Sequence, residues 1–189
     1  MYHKKEDERF FNSSELLYRA LIELLQTKPL EKIRVQELSQ HSTVSRATIY
    51  RNFDSLIDIL YWKCSDRFHT ILSNYIQAPS HLNAPDAFLV HVFREWNLDI
   101  TVLEQIIRLH RTDIIYNCFQ ENSPIIMNAL AQDFSFTETE LRYFLSVRIG
   151  IFIGIVDAWI TGGKRESAET IANLLVKQLH TTLKEPVYF

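Results

Sequence analysis

The stretch from Val35 to Phe53, VQELSQHSTVSRATIYRNF, constrains the fold of this chain more than any other feature. Its apolar residues recur at helical spacing, and a short polar segment interrupts the pattern after Ser42. Ser45 is of a type that favours helix N-caps, so a new helix is expected directly after it. The stretch therefore predicts two short helices joined by a tight turn.

The second of these helices combines one apolar face with a broad polar and aromatic arc. Ile49 and Phe53 share the apolar face and are expected to enter a core. Guanidinium, hydroxyl, phenol and methyl groups occupy the remaining arc, at Arg46, Ala47, Thr48, Tyr50 and Arg51. These groups suit the base edges and phosphates of a DNA major groove. The alternative is an ordinary solvated face on a helix of a larger core.

Further polar residues near this segment extend the predicted nucleic-acid surface. Gln36 begins the first helix and is expected to add a base or phosphate contact, while Lys4 and Lys5 predict a flexible arm over phosphates. The net charge of −3 gives no such indication by itself.

The remainder of the chain favours an all-α fold of about nine helices. Only 4 Gly and 5 Pro occur in 189 residues, and strand-like alternation with hairpin turns is absent. Capping-box spacing predicts helix starts after Asn12 and after Thr137. Residues 79–85 read as a loop, the segments 113–121 and 124–133 as separate helices, and 167–183 as a final helix.

Several classes of protein are not expected. Two cysteines, Cys64 and Cys118, do not make a disulfide framework. Residues 1–9 lack the apolar core of a signal peptide, and the run Ile149–Ile160 falls short of the ~20 residues of a membrane span, so a cytoplasmic protein without a membrane partner is expected. No phosphate loop, HExxH or paired CxxC motif occurs. We therefore expect no enzymatic activity, no metal and no cofactor.

The run Val44–Phe53, VSRATIYRNF, preceded by Lys32-Ile33 and by Val35–Leu38, resembles the amino-terminal domain of the TetR family of bacterial transcription regulators. The resemblance covers residues of about 13–60. It implies a three-helix helix-turn-helix domain over 1–54, with the motif at about 34–53, and an effector-binding and dimerisation domain over 55–189. DNA contacts are implied or expected at Arg34, Gln36, Ser45, Arg46, Ala47, Thr48, Tyr50, Arg51 and Asn52.

The implied function is a sequence-specific DNA-binding regulator, a repressor released by a small-molecule effector. One alternative is a protein-responsive co-regulator or activator without a small-molecule pocket, and a remote one is a helical enzyme or structural module. Around Trp159–Gly163 and Ser167 the chain loosely resembles the branch that includes regulators of dihydroxyacetone kinase operons, in which a protein takes the inducer's role.

Three positions depart from the family pattern. Thr43 stands where the turn often has Gly, and a β-branched residue reaches the left-handed region at a cost, so an altered turn is expected. Arg34 replaces the usual Ser/Thr cap before the first helix of the motif. Leu56 replaces a common Lys, which predicts a smaller salt dependence of DNA binding.

The long helix expected over 137–161 is apolar on two sides and must be covered on both. One side, at Leu141, Leu145, Phe152, Val156 and Trp159, suits the core of the domain. The other side suits a partner helix, and with the resemblance it predicts a homodimer on a palindromic operator. The predicted interface comprises Tyr143, Val147, Gly150, Gly154, Ala158, Ile171 and Leu175. A monomer with both sides covered internally is the alternative.

An effector pocket is expected among the aromatic residues of the middle helices, because such pockets are mostly apolar with a few polar groups. The candidate lining residues are Trp62, Phe93, Trp96, His110, Tyr116 and Cys118. The alternative is that these side chains only fill a core.

Overall fold

The computed structural model of the chain describes residues 8–77, 85–133 and 137–180. The regular elements of these residues are a 3₁₀ turn (Leu30–Lys32) and nine α-helices, which confirms the all-α prediction. The helices are α1 (Glu8–Leu25), α2 (Val35–Ser42), α3 (Arg46–Asn52), α4 (Ile57–Gln77), α5 (Pro85–Leu98), α6 (Thr101–Arg108), α7 (Thr112–Asp133), α8 (Glu138–Thr161) and α9 (Ala168–His180). Lys4, Lys5, most of the loop predicted over 79–85 and the predicted end of the final helix lie outside the described residues.

The chain forms two compact units, Met1–Arg67 and Phe68–Phe189, whose boundary falls within α4. In the first unit α1 packs against α2, and α2 packs against α3. The fully buried side chains there include Leu17, Leu21, Leu38 and Phe53. The division of function after residue 54 that the sequence suggested stays a prediction.

The first helix begins earlier than the sequence predicted. The capping box at Asn12 is wrong, because α1 already begins at Glu8 and Asn12 lies inside it. Phe10 is buried, with its ring centroid 6.0 Å from that of Phe53 and 6.2 Å from that of Trp62. Aromatic burial of this kind stabilises an additional helical turn that local capping signals do not reveal.

The segments 113–121 and 124–133 form the single helix α7, so the predicted break between them is wrong, and Pro124 lies inside the helix. A proline inside a helix leaves the carbonyl four residues earlier without its usual amide donor. Here that carbonyl belongs to Gln120, and the Ser123 hydroxyl donates to it at 2.8 Å. The Asn122 side chain likewise donates to the Cys118 carbonyl at 2.7 Å. The Ser123 hydroxyl therefore supplies the donor that the proline removes, and the helix continues through Pro124.

Helix α8 organises the second unit. It begins at the predicted capping box, in which Thr137 and Glu140 bond reciprocally, and it contacts α5, α6 and α7. Its predicted inner stripe is buried as expected, at Leu141, Leu145, Phe152, Val156 and Trp159. The Phe68 ring of α4 contacts those of Trp96, Phe119 and Phe152 at centroid distances of 5.0, 6.2 and 6.3 Å. An aromatic cluster therefore occupies the centre of this unit.

By length and composition alone, α8 is the one described helix that is apolar enough to cross a membrane. The run Ile149–Ile160 that the sequence singled out is shorter than the whole helix of 24 residues. The core helix of a soluble protein passes the same test, and the buried stripe of α8 packs inside its unit.

Candidate nucleic-acid interface

The turn between α2 and α3 holds a threonine in the left-handed region. Thr43 has φ 58° and ψ 8°, a conformation that a β-branched residue rarely adopts. The Ser39 hydroxyl donates to the Val44 carbonyl at 2.7 Å, and the Val44 amide donates to the Ser42 hydroxyl at 3.2 Å. The expected change of turn geometry is therefore not seen, because these bonds hold Thr43 in the conformation that glycine would supply.

The recognition segment α3 begins at the predicted N-cap. Ser45 is extended, with φ −64° and ψ 145°, and its hydroxyl accepts the Thr48 amide at 3.2 Å. The hydroxyls of Ser45 and Thr48 also lie 3.0 Å apart, within hydrogen-bond distance. The cap satisfies one of the free amides at the amino end of α3 and fixes the direction in which the helix leaves the turn.

The outer arc of α3 presents the side chains that the sequence predicted for DNA. Ile49 and Phe53 are buried as expected, whereas Tyr50 is 62% exposed. Thr48 is half-buried, and six further predicted residues are exposed, namely Arg34, Gln36, Ser45, Arg46, Ala47 and Arg51. Residues on α2 and α3 thus form one surface of two helices and their turn, which we call the α2–α3 surface.

Asn52 does not belong to this surface, and its predicted phosphate contact is wrong. The residue is 2% exposed, and its side-chain amide donates to the Ser13 hydroxyl of α1 at 3.3 Å. It faces inward next to Phe53, so it joins α3 to α1 instead of reaching solvent. Helical spacing places Asn52 close to the buried face of α3. Because asparagine is polar, the sequence analysis placed it among the DNA-contacting residues and missed that it joins α3 to α1.

The electrostatics of the α2–α3 surface favour an anionic partner. Glu37 is the sole acidic residue in 34–53, against three arginines in the same segment. The Lys28 ammonium hydrogen-bonds to the Glu37 carboxylate, and this bond lowers the pKa of Glu37 below its ordinary value of 4.5. Lys28 therefore offsets the carboxylate, and the arginine charges on this surface stay largely uncompensated. The sequence analysis missed this role of Lys28.

A second ion pair joins α1 to α4 within the first unit. The Lys63 ammonium donates to the Glu15 carboxylate at 2.7 Å and lies 5.2 Å from the centre of the Tyr18 ring. Glu15 also accepts from Arg19 at 3.3 Å. This largely buried pair fixes the start of α4 against α1.

The predicted effector residues fall into different environments. Trp62 lies in the first unit, where its ring contacts those of Phe10 and Phe11, so its described contacts are those of a core residue. In the second unit His110 and Tyr116 are exposed, which contradicts their placement in an internal pocket. The exposure of Tyr116 follows from its position on α7. Its neighbour Ile115 lies on the buried face of the helix, so Tyr116 is turned away from that face. The predicted residues that are buried in the second unit are Phe93, Trp96 and Cys118.

The α8 residues of the predicted dimer surface are exposed, and their role in a dimer stays a prediction. On α8, Tyr143 and Val147 are 64% and 58% exposed, and Ala158 is exposed. Among the described residues, a Cβ atom added at Gly150 or Gly154 would meet no atom within 4 Å outside its own helix backbone. This α8 outer face therefore has an apolar, sterically open surface.

Two residues of α9 contradict the predicted interface. Ile171 and Leu175 are 7% and 0% exposed, because α9 turns them into its own unit, where it packs against α5. Their apolar spacing marked a helix face correctly, but it did not distinguish an internal neighbour from a partner chain. Leu174, which is 44% exposed, is a large apolar α9 residue that faces outward.

Potential metal ligands do not cluster in the described part of the chain: no group of three or more His, Cys, Asp or Glu side chains is positioned to hold a metal ion there.

Comparison with solved structures identifies the fold. The chain superposes on a TetR transcriptional regulator from Rhodococcus sp. RHA1 with a TM-score of 0.61 and 19% identity, over 94% of this chain and 100% of that one. The transcriptional regulator FadR from Bacillus subtilis, in complex with stearoyl-CoA, gives a TM-score of 0.63 and 15% identity over 87% and 96%. The dihydroxyacetone kinase operon activator DhaS gives 0.57 and 16% over 88% and 93%.

The sequence matches no protein-family model, and no curated protein matches it significantly. The resemblance to the solved structures establishes the fold: this chain has the all-α fold of the TetR-family regulators, as its helix-turn-helix sequence predicted.

Proposed function

We propose that this chain is a sequence-specific DNA-binding transcription regulator of the TetR family. The observation that carries the proposal is the α2–α3 surface: a capped recognition helix that exposes Arg46, Tyr50 and Arg51. Guanidinium groups read guanine edges or bind phosphates, and a short side chain such as that of Ala47 allows close approach to a thymine methyl group. Two of the solved proteins with the same fold are transcriptional regulators, which supports this function.

The chain acts on DNA as a homodimer in this proposal. The α8 outer face, with Tyr143, Val147, Gly150, Gly154 and Ala158, packs against its copy about a twofold axis. Two equivalent recognition helices then meet a palindromic operator, with half-sites separated by about 34–36 Å or a multiple of it. Such a protein works in the cytoplasm, where the bacterial chromosome is accessible, and it needs no catalytic group.

We further propose that the regulator is a repressor that a small molecule releases from DNA. A structure of similar fold is a complex with stearoyl-CoA, and another, FadR of Thermus thermophilus, is a transcriptional repressor in complex with lauroyl-CoA. An effector releases DNA only if it binds the DNA-free conformation more tightly, and a coupling of about 1–3 kcal/mol changes operator affinity by roughly 5–150-fold.

The alternative within the same class is an activator or a protein-responsive regulator. The similarity of the fold to that of DhaS, an operon activator, supports this alternative. Reporter expression from the operator, with and without the regulator, decides the sign of regulation.

Operator affinity of matched variants tests the proposed function. A high-affinity duplex is first selected from random sequences with the purified full chain, and binding is then measured by fluorescence anisotropy. Arg46→Ala is expected to weaken binding by about 10–100-fold, because one good base contact supplies about 1–3 kcal/mol. Arg165→Ala removes the same charge from the exposed connection between α8 and α9 and is expected to change affinity less than about twofold. Equal affinities of Arg46→Ala and the wild type contradict the proposal.

A further inference from the structure

The indole of Trp96 is buried in the second unit with an unsatisfied donor. Trp96 is 1% exposed, and its Nε1–H has no hydrogen-bond partner within the part of the chain that the structure describes. The buried Trp159 of the same unit shows the usual arrangement, because its Nε1 donates to the Glu166 carbonyl at 3.0 Å. Burying an indole N–H without an acceptor costs stability, so such a group calls for an explanation.

The ring of Trp96 contacts an aromatic cluster of the same unit. The Phe68 ring lies 5.0 Å from the Trp96 ring at an interplanar angle of 70°, and it also contacts the rings of Phe119 and Phe152. Cys118 is likewise buried in this unit. Binding sites for small molecules combine such apolar walls with a small number of polar groups that fix the ligand's orientation. Trp96 supplies a polar group of this kind.

We propose that the Trp96 Nε1–H is the polar anchor of a ligand site in the second unit, and that the ligand is an uncharged, mainly apolar molecule with a carbonyl oxygen. A single neutral N–H donor matches a single neutral acceptor, whereas a buried carboxylate would need stronger compensation for its lost hydration. This inference rests on the proposed function, because the site would be that of the effector.

Binding at this site requires movement of the aromatic cluster. The Nε1 atom is fully enclosed, so a ligand reaches it only in a conformation in which neighbouring rings have shifted. A ligand that binds only this shifted conformation increases its population. The site therefore has the property that an effector-responsive regulator needs, namely different ligand affinities in two conformations.

Two matched probes isolate the hydrogen bond. Acetophenone and ethylbenzene have similar shapes, but acetophenone alone carries a carbonyl. Both are titrated against the full-length wild type and against Trp96→Phe, which keeps an aromatic ring and lacks the N–H. The measured quantity is the ratio of the two affinities in each protein, because the ratio cancels any difference in apolar packing or in stability.

The acetophenone preference is expected to fall by about tenfold in Trp96→Phe, the effect of losing one buried hydrogen bond. The same ratio in both proteins overturns the inference, and so does failure of both probes to bind the wild type. Loss of both affinities in equal measure assigns Trp96 a purely structural role and also overturns it.

A second measurement keeps the test valid if Trp96→Phe does not fold. In wild-type protein labelled with ¹⁵N-tryptophan, acetophenone is expected to shift the Trp96 indole N–H resonance downfield, and ethylbenzene is not. Trp62→Phe and Trp159→Phe assign that resonance by elimination. No downfield shift with acetophenone contradicts the anchor. Operator binding by the unliganded wild type is independent of these results, so its failure overturns the proposed function separately.

Discussion

Replacing Thr43 by glycine is expected to stabilise the protein. Thr43 holds a left-handed conformation, φ 58°, in the turn between α2 and α3. Its side chain is exposed, and the hydrogen bonds that close the turn come from Ser39, Ser42 and Val44. Thr43→Gly therefore removes a strained side-chain conformation while those hydrogen bonds remain in place.

The expected gain is the difference between two opposing terms. An L-residue in the left-handed region costs roughly 1–2 kcal/mol, which glycine does not incur. Glycine loses more backbone entropy on folding, which costs about 0.5–1 kcal/mol. The midpoints of the two ranges leave a net stabilisation of about 0.75 kcal/mol, taken as about 0.5–1 kcal/mol. With a urea dependence of about 2 kcal/mol per molar, the unfolding midpoint rises by about 0.25–0.5 M.

Urea unfolding followed by circular dichroism measures this shift, and two further variants separate the causes. Thr43→Asn tolerates the left-handed region and is expected to give part of the gain. Thr43→Val keeps the β-branch, removes the hydroxyl and is expected to give none. A midpoint for Thr43→Gly at or below that of the wild type refutes the reasoning, and so does an equal gain in Thr43→Val.

Three other predictions follow from particular contacts. Gly154→Leu should shift sedimentation from dimer towards monomer with an unchanged circular dichroism spectrum, because a Cβ atom at this position would meet no atom of the described residues within 4 Å outside its own helix backbone; a dimer of wild-type strength contradicts the α8 outer face as the interface. The Lys28 hydrogen bond lowers the pKa of Glu37 below 4.5, so its stabilisation is present above pH 4.5 and is lost as the pH falls through the lowered pKa. Unfolding free energies of the wild type and Glu37→Gln should therefore converge at acid pH. A difference between them that grows as the pH falls contradicts the predicted pH dependence. Leu56→Lys should steepen the slope of log affinity against log salt concentration by about one, through one added phosphate contact, and an unchanged slope shows that residue 56 lies away from the phosphates.

Local signals in the sequence were sufficient where the structure depends on near neighbours. The Ser45 cap, the Thr137–Glu140 capping box and the buried stripe of α8 involve residues at most a few turns apart, and the structure confirms them. The same holds for Ile49 and Phe53, whose spacing predicted the buried side of the recognition helix.

The predictions failed where a distant contact decides the structure. Phe10 extends α1 by packing on Phe53 and Trp62, and Asn52 turns inward to Ser13, 39 residues away in sequence. Leu175 is apolar, as expected for either a core residue or an interface residue. It is buried because other helices of its own unit cover it, and the sequence does not show where those helices lie. Helical spacing identifies a face, but it does not identify what covers that face.

The central claim is that the outer arc of α3 reads base pairs in two symmetric half-sites. The measurement that tests it most directly is the base preference of Arg46→Ala and of the wild type across all single substitutions of the selected operator. We expect Arg46→Ala to lose discrimination at one base pair in each half-site, at two positions related by the twofold axis, and to keep it elsewhere. An unchanged preference profile, or affinity lost uniformly at every operator variant, contradicts the account.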